Sequence, residues 1–503
     1  MLPVYSNPAE LEKLVKEKYA VPQFLMMENA ANAMAAFILE KVPELPRGKA
    51  PASVVIACGK GNNGGDGYAL ARLLQDKLCI TLLSIEPPAA QEALAQQKMY
   101  LKLGLKALSA STGKDLKLFE KKCLDADFVV DCIYGTGFHG ELKPETSAII
   151  KLMNKSHGIK IACDIPSALE FSADYTITMG ENKLALFSDK AKAVCGKLIV
   201  PELGISRQKF EAAGNSRVKP TAWLIEESDI KLPLRINRAA HKGTCGHTSV
   251  LCGDKAGAAI IAATAAMNFG SGLTSLVQMP AIADSLPHGT PLSQFKISPS
   301  LMIADSIPKK TTCIAAGSGF SEFSESAAEL LISWIKKCSS PAVVLDAGML
   351  TSPKTPELLK SLNCFENAKI ILTPHPGELS SLLKNCRAKG DISVAALANS
   401  PETKIAAGLF LNKLFPRTTV IMKSANTFIA CEGKIYLIAD GAPSLAKGGS
   451  GDLLAGLTSA LLAQGYSTKD AAITATGYHA SLSKKLGEQA YNLTPDKFLK
   501  KIF

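Results

Sequence analysis

The feature that most constrains the fold is an alternation of short apolar runs with helix-like stretches along the 503 residues of the chain. The first predicted strands are Ser53–Cys58, Leu78–Ile85, Phe128–Asp131 and Lys160–Asp164. Candidate helices lie near residues 67–75, 89–105 and 145–155. Because strands that alternate with helices form parallel sheets covered on both faces, the sequence predicts an α/β fold.

A second series of the same kind follows the polar stretch Arg207–Pro220. Its predicted strands are Ser249–Cys252, Leu273–Gln278, Thr311–Ala316, Ala342–Asp346, Lys369–Thr373 and Thr419–Lys423. Its predicted long helices are Gly257–Phe269, Glu325–Lys337, Gly451–Gln464 and Lys469–Leu486. We place a boundary near residue 216 and expect two different α/β domains, at residues 1–216 and 217–503.

Composition and charge restrict the class of protein. The chain is 47% hydrophobic and 20% charged, which is a globular composition. The net charge of +11 is spread over single residues and pairs, so it supports an anionic small molecule as well as it supports nucleic acid. The 13 cysteines include no CxxC pair, which favours free thiols in a reducing compartment. With no signal peptide or spanning segment, we expect a cytoplasmic protein without membrane or nucleic-acid partners.

A glycine- and asparagine-rich stretch, Gly59–Arg72, follows the first strong strand. Glycine permits close approach of the backbone to a ligand, and the N–H groups at a helix start favour an anion. The spacing fits neither GxGxxG nor a P-loop, so the usual dinucleotide and nucleotide signatures are absent. One glycine would suffice for a tight turn, and the excess of glycine and asparagine therefore indicates a ligand site.

Two aspartates stand at the ends of later strands. Asp131 is followed by Gly135–Phe138, and Asp164 is followed by the sequence that ends at Ser167. Ligands of doubly wound sheets bind beyond the carboxyl ends of the strands, so Asn63 and both aspartates should meet there. Oxygen ligands of this kind suit a hard cation. A single strand-end aspartate is more often a helix cap, but three such sites on successive strands favour a ligand.

The stretch Leu445–Leu457 carries a second constellation, in which Gly448–Gly451 precedes a helix that opens near Asp452. Backbone amides in such a loop stabilise charge on a transferring phosphoryl group. Asp452 is then placed to accept a proton from a substrate hydroxyl. The alternative is an N-cap aspartate after a turn, although the loop holds more glycine than a cap needs.

Other short motifs of the second half end predicted strands or open predicted helices, and they fit the same pocket. They are His241–Gly243, Gly257–Ala259, Gly317–Gly319, Asp346–Gly348, Thr373–Glu378 and Lys423–Thr427. A lone histidine in a proline-rich turn is more often structural, but the neighbouring strand ends favour ligand contact for His375. For Lys242, the sequence favours neither a surface charge nor a ligand contact over the other.

The first half resembles the NAD(P)HX epimerases, whose substrates are hydrated NADH and NADPH. The resemblance covers residues 8–205 and rests on LMMENAA at Leu25–Ala31, GNNGGDG, DxxYGTGF and DIPS. It implies a Rossmann-like doubly wound domain and K⁺ held by Asn63, Asp131 and Ser167, with Asp131 also in a catalytic role. It implies that the substrate contacts Asn62, Asn63, Gly64, Gly65, Asp66, Gly135, Thr136, Gly137, Phe138, His139, Gly140, Glu141 and Asp164.

One departure from that family concerns the DIPS motif. The family usually continues with glycine, and this chain has Ala168, with a shorter stretch beyond it. If the position requires a positive φ, alanine costs on the order of 1 kcal/mol or more and distorts the loop. We therefore expect a working but slower epimerase site.

The second half resembles the ADP- or ATP-dependent NAD(P)HX dehydratases, which have a ribokinase-like fold. The resemblance covers residues 222–500 through HKGxxGH, GAA, GSG, TPHPGE, KSANT and GGSGD. It implies that hydrated NAD(P)H contacts Ala258, Gly319, His375 and Asp452. It implies that the adenine nucleotide contacts Lys423, Ser424, Ala425, Asn426, Thr427 and Gly451. Ser318 stands where proline is common, and Ser424 where glycine is common.

Together these resemblances imply a bifunctional repair enzyme. One domain would interconvert the R and S epimers, and the other would phosphorylate the 6-hydroxyl of the S epimer from ADP or ATP and eliminate phosphate. Mg²⁺ would offset the charge of the nucleotide phosphates. A ribokinase-like small-molecule kinase and a non-catalytic nucleotide-binding N-terminal domain are the alternatives. We also expect a homo-oligomer of unspecified order.

Overall fold

The computed structural model describes residues 1–45, 51–138, 140–214, 217–279, 292 and 295–502. It divides the chain into two compact units, of which the first is Pro3–Thr221. The second is Ala222–Phe503 together with Met1 and Leu2. The division falls a few residues beyond residue 216, and a helix, Arg207–Ala212, lies inside the polar stretch that interrupts the predicted alternation.

The described residues of the first part of the chain form nine strands. They are β1 (Leu2–Tyr5), β2 (Ser53–Cys58), β3 (Cys79–Ser84), β4 (Ala107–Ser109), β5 (Phe128–Cys132), β6 (Ile159–Cys163), β7 (Tyr175–Ile177), β8 (Asn182–Lys183) and β9 (Lys197–Ile199). Seven of them form a fully parallel sheet in the order β4-β3-β2-β5-β6-β7-β9. Helices of the first unit are Pro8–Tyr19, Gln23–Lys41, Asn62–Leu74, Gln91–Lys102, Gly113–Leu124, Pro144–Asn154, Asp189–Val194 and Arg207–Ala212.

Both faces of this sheet are buried, as a parallel sheet requires. Ile56 packs into one apolar cluster, whereas its neighbours Val55 and Ala57 pack into another on the opposite face. The order of the strands reverses between β2 and β5, which creates a crevice at their carboxyl ends. The predicted doubly wound fold is therefore confirmed.

The first helix after β2 corrects the sequence prediction, because it begins at Asn62 and not at residue 67. The glycines serve close packing in the first turns of this helix. A β-carbon on Gly64 would lie 1.9 Å from the carbonyl oxygen of Gly59, and one on Gly67 would lie 2.5 Å from Cys58 Sγ. The stretch interpreted as a loop is thus the start of a helix pressed onto the sheet.

In the second unit, the residues that the structure describes form ten strands. They are β10 (Ala222–Leu224), β11 (His247–Cys252), β12 (Leu273–Gln278), β13 (Met302–Ala304), β14 (Cys313–Ala316), β15 (Ala342–Leu345), β16 (Lys369–Leu372), β17 (Thr418–Met422), β18 (Thr427–Cys431) and β19 (Lys434–Ile438). Their order is β13-β12-β11-β14-β15-β16-β17-β18-β19-β10, and β18 is antiparallel to both of its neighbours. The order in which successive strands are added reverses between β11 and β14. The crevice of this unit therefore lies at the carboxyl ends of these two strands.

Helices of the second unit cover this sheet. Their bounds are Ala256–Asn268, Glu325–Ile335, Gly348–Thr351, Thr355–Asn363, Pro376–Asn385, Val394–Asn399, Pro401–Leu414, Ser450–Ala463, Thr468–Gly487 and Pro495–Leu499. A β-carbon on Gly456 would lie 2.2 Å from the carbonyl oxygen of Ala262, so the helices Ser450–Ala463 and Ala256–Asn268 pack closely. None of the helices in the described residues is long and apolar enough to cross a bilayer.

Candidate active sites

A cleft of about 580 Å³ lies beyond the carboxyl ends of β2, β5 and β6 in the first unit. Predicted substrate contacts that line it are Asn62, Asn63, Asp66, Gly135, Thr136, Gly137, Phe138, Glu141 and Asp164. Gly64, Gly65, Gly140, Asp131 and Ser167 are not among its lining residues. His139 lies outside the described residues. The cleft therefore brings together most of the predicted set.

The side-chain amide of Asn63 is buried in this cleft with both of its polar atoms unpaired in the described part of the chain. Its side chain is 8% exposed, and neither Nδ2 nor Oδ1 has a hydrogen-bond partner among the described residues. Buried polar atoms are nearly always paired in folded proteins. The amide therefore has its oxygen and its nitrogen available for a ligand or an ion.

Asp131 is fully buried at the end of β5 and is tied to the loop after β6. Ser167 donates its hydroxyl to Asp131 Oδ1 at 2.7 Å and its backbone N–H to Oδ2 at 2.8 Å, and the N–H of Ile133 also reaches Oδ1. Burial raises the pKa of Asp131 to about 6, although these hydrogen bonds partly offset it. Asp131 and Ser167 are thus brought together as predicted.

Asp164 lies in the same cleft with a positive φ of 70°, which is rare for a residue other than glycine. Its carboxylate accepts a hydrogen bond from Lys183 Nζ and others from the backbone N–H groups of Thr136 and Met179. Lys183 is only 2% exposed. Burial alone would lower the pKa of Lys183, but the neighbouring carboxylates outweigh it and raise that pKa.

Ala168 also has a left-handed backbone, with φ 53° and ψ 18°. The next residue, Leu169, has a φ of 54°. The position therefore does require the conformation that glycine adopts without strain, as the sequence comparison with the epimerases suggested. The loop that carries Ser167 keeps its hydrogen bonds to Asp131 despite this strain.

In the second unit, Asp452 lies in the first turn of the helix Ser450–Ala463, just after Gly449 with a φ of 89°. The helix begins at Ser450, one residue before the predicted start at Gly451. Burial raises the pKa of Asp452 and Asp346 raises it further, while the hydroxyl of Ser318 and the ammonium of Lys423 lower it. The aspartate is not the N-cap, which removes the alternative interpretation as a simple cap.

Lys423 forms an ion pair with Asp346 and lies near the start of the helix that carries Asp452. Lys423 Nζ lies 3.1 Å from Asp346 Oδ1 and 3.9 Å from Glu378 Oε2. A β-carbon on Gly451 would lie 3.3 Å from Lys423 Nζ, so the start of the helix faces this lysine. Ala347 after Asp346 is strained, with φ 45° and ψ −123°, which is common at functional sites.

Ala258 and Gly319 meet at the reversal point between β11 and β14. The N–H of Lys255 donates to Gly319 O at 2.9 Å, and the N–H of Ala258 donates to Lys255 O at 3.1 Å. A β-carbon on Gly319, whose φ is 80°, would lie 2.3 Å from Lys255 O. The two motifs therefore form one tight backbone corner, and Ser318 beside it hydrogen-bonds to Asp452.

His375 has the structural role that the sequence analysis weighed against ligand contact. It is the N-cap of the helix Pro376–Asn385, where Nδ1 accepts the N–H of Gly377 at 3.0 Å. Its Nε2 lies 3.2 Å from Glu378 Oε1, and more than half of its side chain is exposed. Contact between His375 and a ligand stays a prediction.

The predicted nucleotide-binding residues Lys423–Thr427 connect β17 to β18. Ser424 donates its hydroxyl to Asn426 O at 2.7 Å and accepts a hydrogen bond from Lys404 Nζ. Lys404 is 2% exposed, and its Nζ lies 5.0 Å from the centroid of the Phe428 ring. A buried positive charge therefore lies directly behind this turn.

Comparisons with known proteins match both halves of the chain. A sequence profile described as NAD(P)H-hydrate dehydratase matches residues 248–503, and one described as YjeF-related protein N-terminus matches residues 24–185. The Bifunctional NAD(P)H-hydrate repair enzyme Nnr of Helicobacter pylori is 33% identical over 100% of this chain and 99% of its own length. The chain belongs to the family of bifunctional NAD(P)H-hydrate repair enzymes. A family member from Moorella thermoacetica is 30% identical over 95% of this chain and 91% of its own length.

Solved structures resemble the second unit. The ADP/ATP-dependent NAD(P)H-hydrate dehydratase of Bacillus subtilis, co-crystallised with ATP and Mg²⁺, is 26% identical and covers 52% of this chain and 90% of its own, with a TM-score of 0.40. A ribokinase-like protein of Enterococcus faecalis covers 56% of this chain and 95% of its own at 19% identity and a TM-score of 0.41. The family model described as NAD(P)H-hydrate dehydratase matches the second unit, whose largely parallel sheet with covering helices agrees with the expected α/β class.

Four residues of these sites were missed by the sequence analysis of this family member. They are Glu12, Glu181, Lys183 and Lys404. Glu181 and Lys183 lie in the short polar run Glu181–Lys183, which in the sequence resembles an exposed turn, although both residues are buried in the structure. Buried charges are paired or functional, but burial is a tertiary property that this run does not indicate.

Proposed function

We propose that this chain repairs hydrated NADH and NADPH in two steps. The first unit interconverts the R and S epimers, and the second unit dehydrates the S epimer with consumption of ADP or ATP. The observation that carries the proposal is the match over the whole chain to bifunctional NAD(P)H-hydrate repair enzymes. Each unit contributes a ligand-ready set of residues at the crevice of its own sheet.

Within the first unit, we assign the hydrated nicotinamide nucleotide to the cleft lined by Asn62, Asp66 and Asp164. The free N–H groups at the N-terminus of the helix Asn62–Leu74 favour an anion, which suits the phosphates of the nucleotide. Gly135, Thr136, Gly137, Phe138 and Glu141 line the cleft and are assigned to the same ligand. The assignment is supported by the buried, unpaired amide of Asn63 in the same cleft.

K⁺ fits the set Asn63, Asp131 and Ser167. These residues offer an amide oxygen without a hydrogen-bond partner, a carboxylate and a hydroxyl, which are hard ligands suited to a hard cation. A bound K⁺ would supply a positive charge between the protein and the nucleotide. Asp131 lies behind the cleft, so its effect on epimerisation is expected to pass through the cation and the Ser167 loop.

In the second unit, we assign Asp452 as the base that takes the proton of the 6-hydroxyl. The N–H groups at the start of the helix Ser450–Ala463 and the ammonium of Lys423 stabilise the charge of the transferring phosphoryl group. Ala258, Gly319 and His375 are assigned to the hydrated NAD(P)H. Lys423–Thr427 and Gly451 are assigned to the adenine nucleotide, with Mg²⁺ offsetting its phosphate charge.

The experiment that tests the function supplies the purified chain with hydrated NADH as separated epimers and with ADP or ATP. We expect absorbance at 340 nm to return from the S epimer, and from the R epimer faster than its spontaneous epimerisation allows. Release of inorganic phosphate should match the NADH formed. Accumulation of a stable phosphorylated product would instead favour a small-molecule kinase.

The setting of the enzyme follows from the cysteines and from the substrates. All 13 cysteines are free, which supports a reducing, cytoplasmic environment. The partners we propose are hydrated NADH or NADPH and ADP or ATP. A homo-oligomer stays an expectation that size-exclusion chromatography with light scattering would test.

A further inference from the structure

The cleft of the first unit surrounds one buried lysine with carboxyl groups. Lys183 Nζ contacts Asp164 and lies 3.9 Å from Glu181 Oε1. Glu12 and Asp66 also line the cleft, and Glu12 acts electrostatically on the same lysine. Glu181 is fully buried, and neither of its carboxylate oxygens has a hydrogen-bond partner among the described residues. One cation cannot keep all four carboxyl groups ionised in a buried site.

Asp164 is the carboxyl group that pairs directly with this lysine. It receives Lys183 directly, together with the backbone N–H groups of Thr136 and Met179. Hydrogen bonds of this kind are made to the charged form of a carboxylate and stabilise it. Asp164 therefore presents a negative charge to the cleft.

Asp66 has surroundings that favour its protonated form. It is 9% exposed, lines the cleft, and meets the thiol of Cys163 at 3.8 Å, with no basic side chain within ion-pair distance in the described part of the chain. Burial raises the pKa of Asp66 well above its usual range, and the charges of Asp164 and Glu12 raise it further while Lys183 lowers it. The remaining titratable groups that face Asp66 are the thiols of Cys58, Cys132 and Cys163.

We propose that Asp66 and Asp164 are the acid and the charged partner of the epimerase reaction, and that Lys183 is the residue that keeps their roles apart. The inference rests on the proposed function of the first unit. Two carboxyl groups in one cleft, held by their surroundings in different protonation states, are the usual arrangement for acid–base work. Both side chains line the cleft that we assign to the substrate.

The chemistry of the substrate requires such a pair. The 6-hydroxyl stands on a carbon bonded to the ring nitrogen, so the carbon–oxygen bond can break with its electron pair leaving on oxygen. Asp66 gives its proton to that oxygen, water departs, and the lone pair of N1 closes a C6=N1 iminium cation. The carboxylate of Asp164 stabilises this cation. Water then adds to the opposite face, and the proton it loses returns to Asp66, directly or through one water molecule.

Lys183 acts through Asp164 and is a positioning residue. Without its ammonium, Asp164 would compete with Asp66, Glu12 and Glu181 for protons, and the cleft would lose its fixed negative charge. Loss of Lys183 should therefore change the pH dependence of the reaction as well as its rate. A purely structural role would lower stability and leave the pH profile of the remaining activity unchanged.

The test measures interconversion of the separated R and S epimers of hydrated NADH by chromatography, which does not depend on the second unit. We expect Asp66→Asn to lower kcat by at least about 100-fold, the usual lower bound for general acid catalysis. Binding of NADP⁺, a non-reacting probe, should change little. The wild-type kcat should fall as rising pH removes the proton of Asp66, and Lys183→Met should shift that fall, with partial rescue by Lys183→Arg.

Asp174→Asn is the matched control, because Asp174 also pairs with a lysine, Lys160 at 3.7 Å, but lies outside the cleft. In water enriched in ¹⁸O, each interconversion should place solvent oxygen at the 6-hydroxyl.

An active Asp66→Asn protein within a few-fold of wild type, or epimerisation without oxygen exchange, overturns the inference while the proposed function stands. A wild-type chain no faster than solution overturns the proposed function, and this inference with it. If Asp66→Asn fails to bind NADP⁺, Asp66→Glu, which keeps the acid, should retain activity, and its complete inactivity with intact binding also overturns the inference.

Discussion

Ser167 Oγ donates to Asp131 Oδ1 across 2.7 Å, so the loop after β6 is fastened to the end of the neighbouring strand β5. Asp131→Ala removes both the fastening and one proposed K⁺ ligand. We expect this variant to lose epimerase activity and to retain dehydration of the S epimer. Separate assays on purified R and S epimers check this result. Equal loss in both assays would point to general misfolding.

Replacement of the cation tests the same site without a mutation. We expect exchange of K⁺ for a bulky organic cation at constant ionic strength to slow epimerisation of the R epimer. Dehydration of the S epimer should respond less, because the proposed K⁺ ligands belong to the first unit. Unchanged epimerisation in thoroughly K⁺-free protein would remove the cation from the mechanism.

Ala168→Gly should relieve the left-handed strain at that position. A left-handed alanine costs roughly 1–2 kcal/mol, and the added chain entropy of glycine offsets part of this. We therefore expect the free energy of unfolding to rise by about 1 kcal/mol or slightly less, with a faster epimerase. Urea unfolding and R-epimer consumption measure the two effects.

The control for Ala168→Gly is Ala162→Gly in the middle of β6, where no positive φ is needed. There glycine should lower stability, by roughly 0.5–1 kcal/mol or more. A loss of stability in both variants would contradict the strain argument. A gain in stability without a faster reaction would show that the strained loop already holds the substrate well.

Asp452→Asn keeps the shape of the side chain and removes the base. We expect dehydration of the S epimer to slow by at least about 100-fold, with epimerisation unaffected. Because the ionised form is the active base and its pKa is raised, the wild-type rate should increase as pH rises through that pKa. Near-normal turnover by folded Asp452→Asn protein would contradict the assignment of Asp452 as the base.

Because His479 is buried, we expect the stability of the second unit to fall in acid. It is buried beside Ser450, with Nε2 3.4 Å from Ser450 Oγ, and burial lowers its pKa to about 4. Between about pH 6.5 and 4 the unfolded chain binds a proton at this histidine that the folded chain does not bind, so stability falls as pH falls. The shift corresponds to roughly 3 kcal/mol at most.

His479→Gln keeps a polar partner for Ser450 and removes the titration. We expect the difference in free energy of unfolding between wild type and variant to shrink as pH is lowered from 7 to 4.5. Measurements at pH 7, where His479 is neutral in both the folded and the unfolded wild-type chain, serve as the reference. A difference that is constant across this range would contradict the prediction.

Much of the fold could be predicted because apolar runs and helix patterns are local properties of the sequence. Strand β12 has the predicted bounds, and β2 does as well. The predicted start of this helix at residue 67 was wrong, because the helix begins at Asn62. Glycine disfavours helix by propensity, and the value of the glycines here lies in close packing against Gly59 and Cys58. Propensity does not contain that tertiary information.

The sites divide along the same line. Asn63 and Asp452 could be predicted because strand ends and glycine-rich turns mark a crevice from the sequence alone. Lys183 could not, since its partner Asp164 stands 19 residues earlier and β8, which carries the lysine, is too short to be recognised. For His375 the sequence favoured ligand contact over a structural role, and it did not indicate the particular role found, a capping box formed through the histidine ring.

The glycines that press the helix Asn62–Leu74 onto the sheet have a consequence for binding. Asn63 and Asp66 are carried by a rigid element whose backbone touches Gly59, Cys58 and Cys132, so their positions are set before a ligand arrives. A flexible loop would have to be ordered on each encounter, at a cost in conformational entropy that weakens affinity. The first unit is therefore a preorganised receptor, whose affinity for its ligand is not reduced by the cost of ordering a loop.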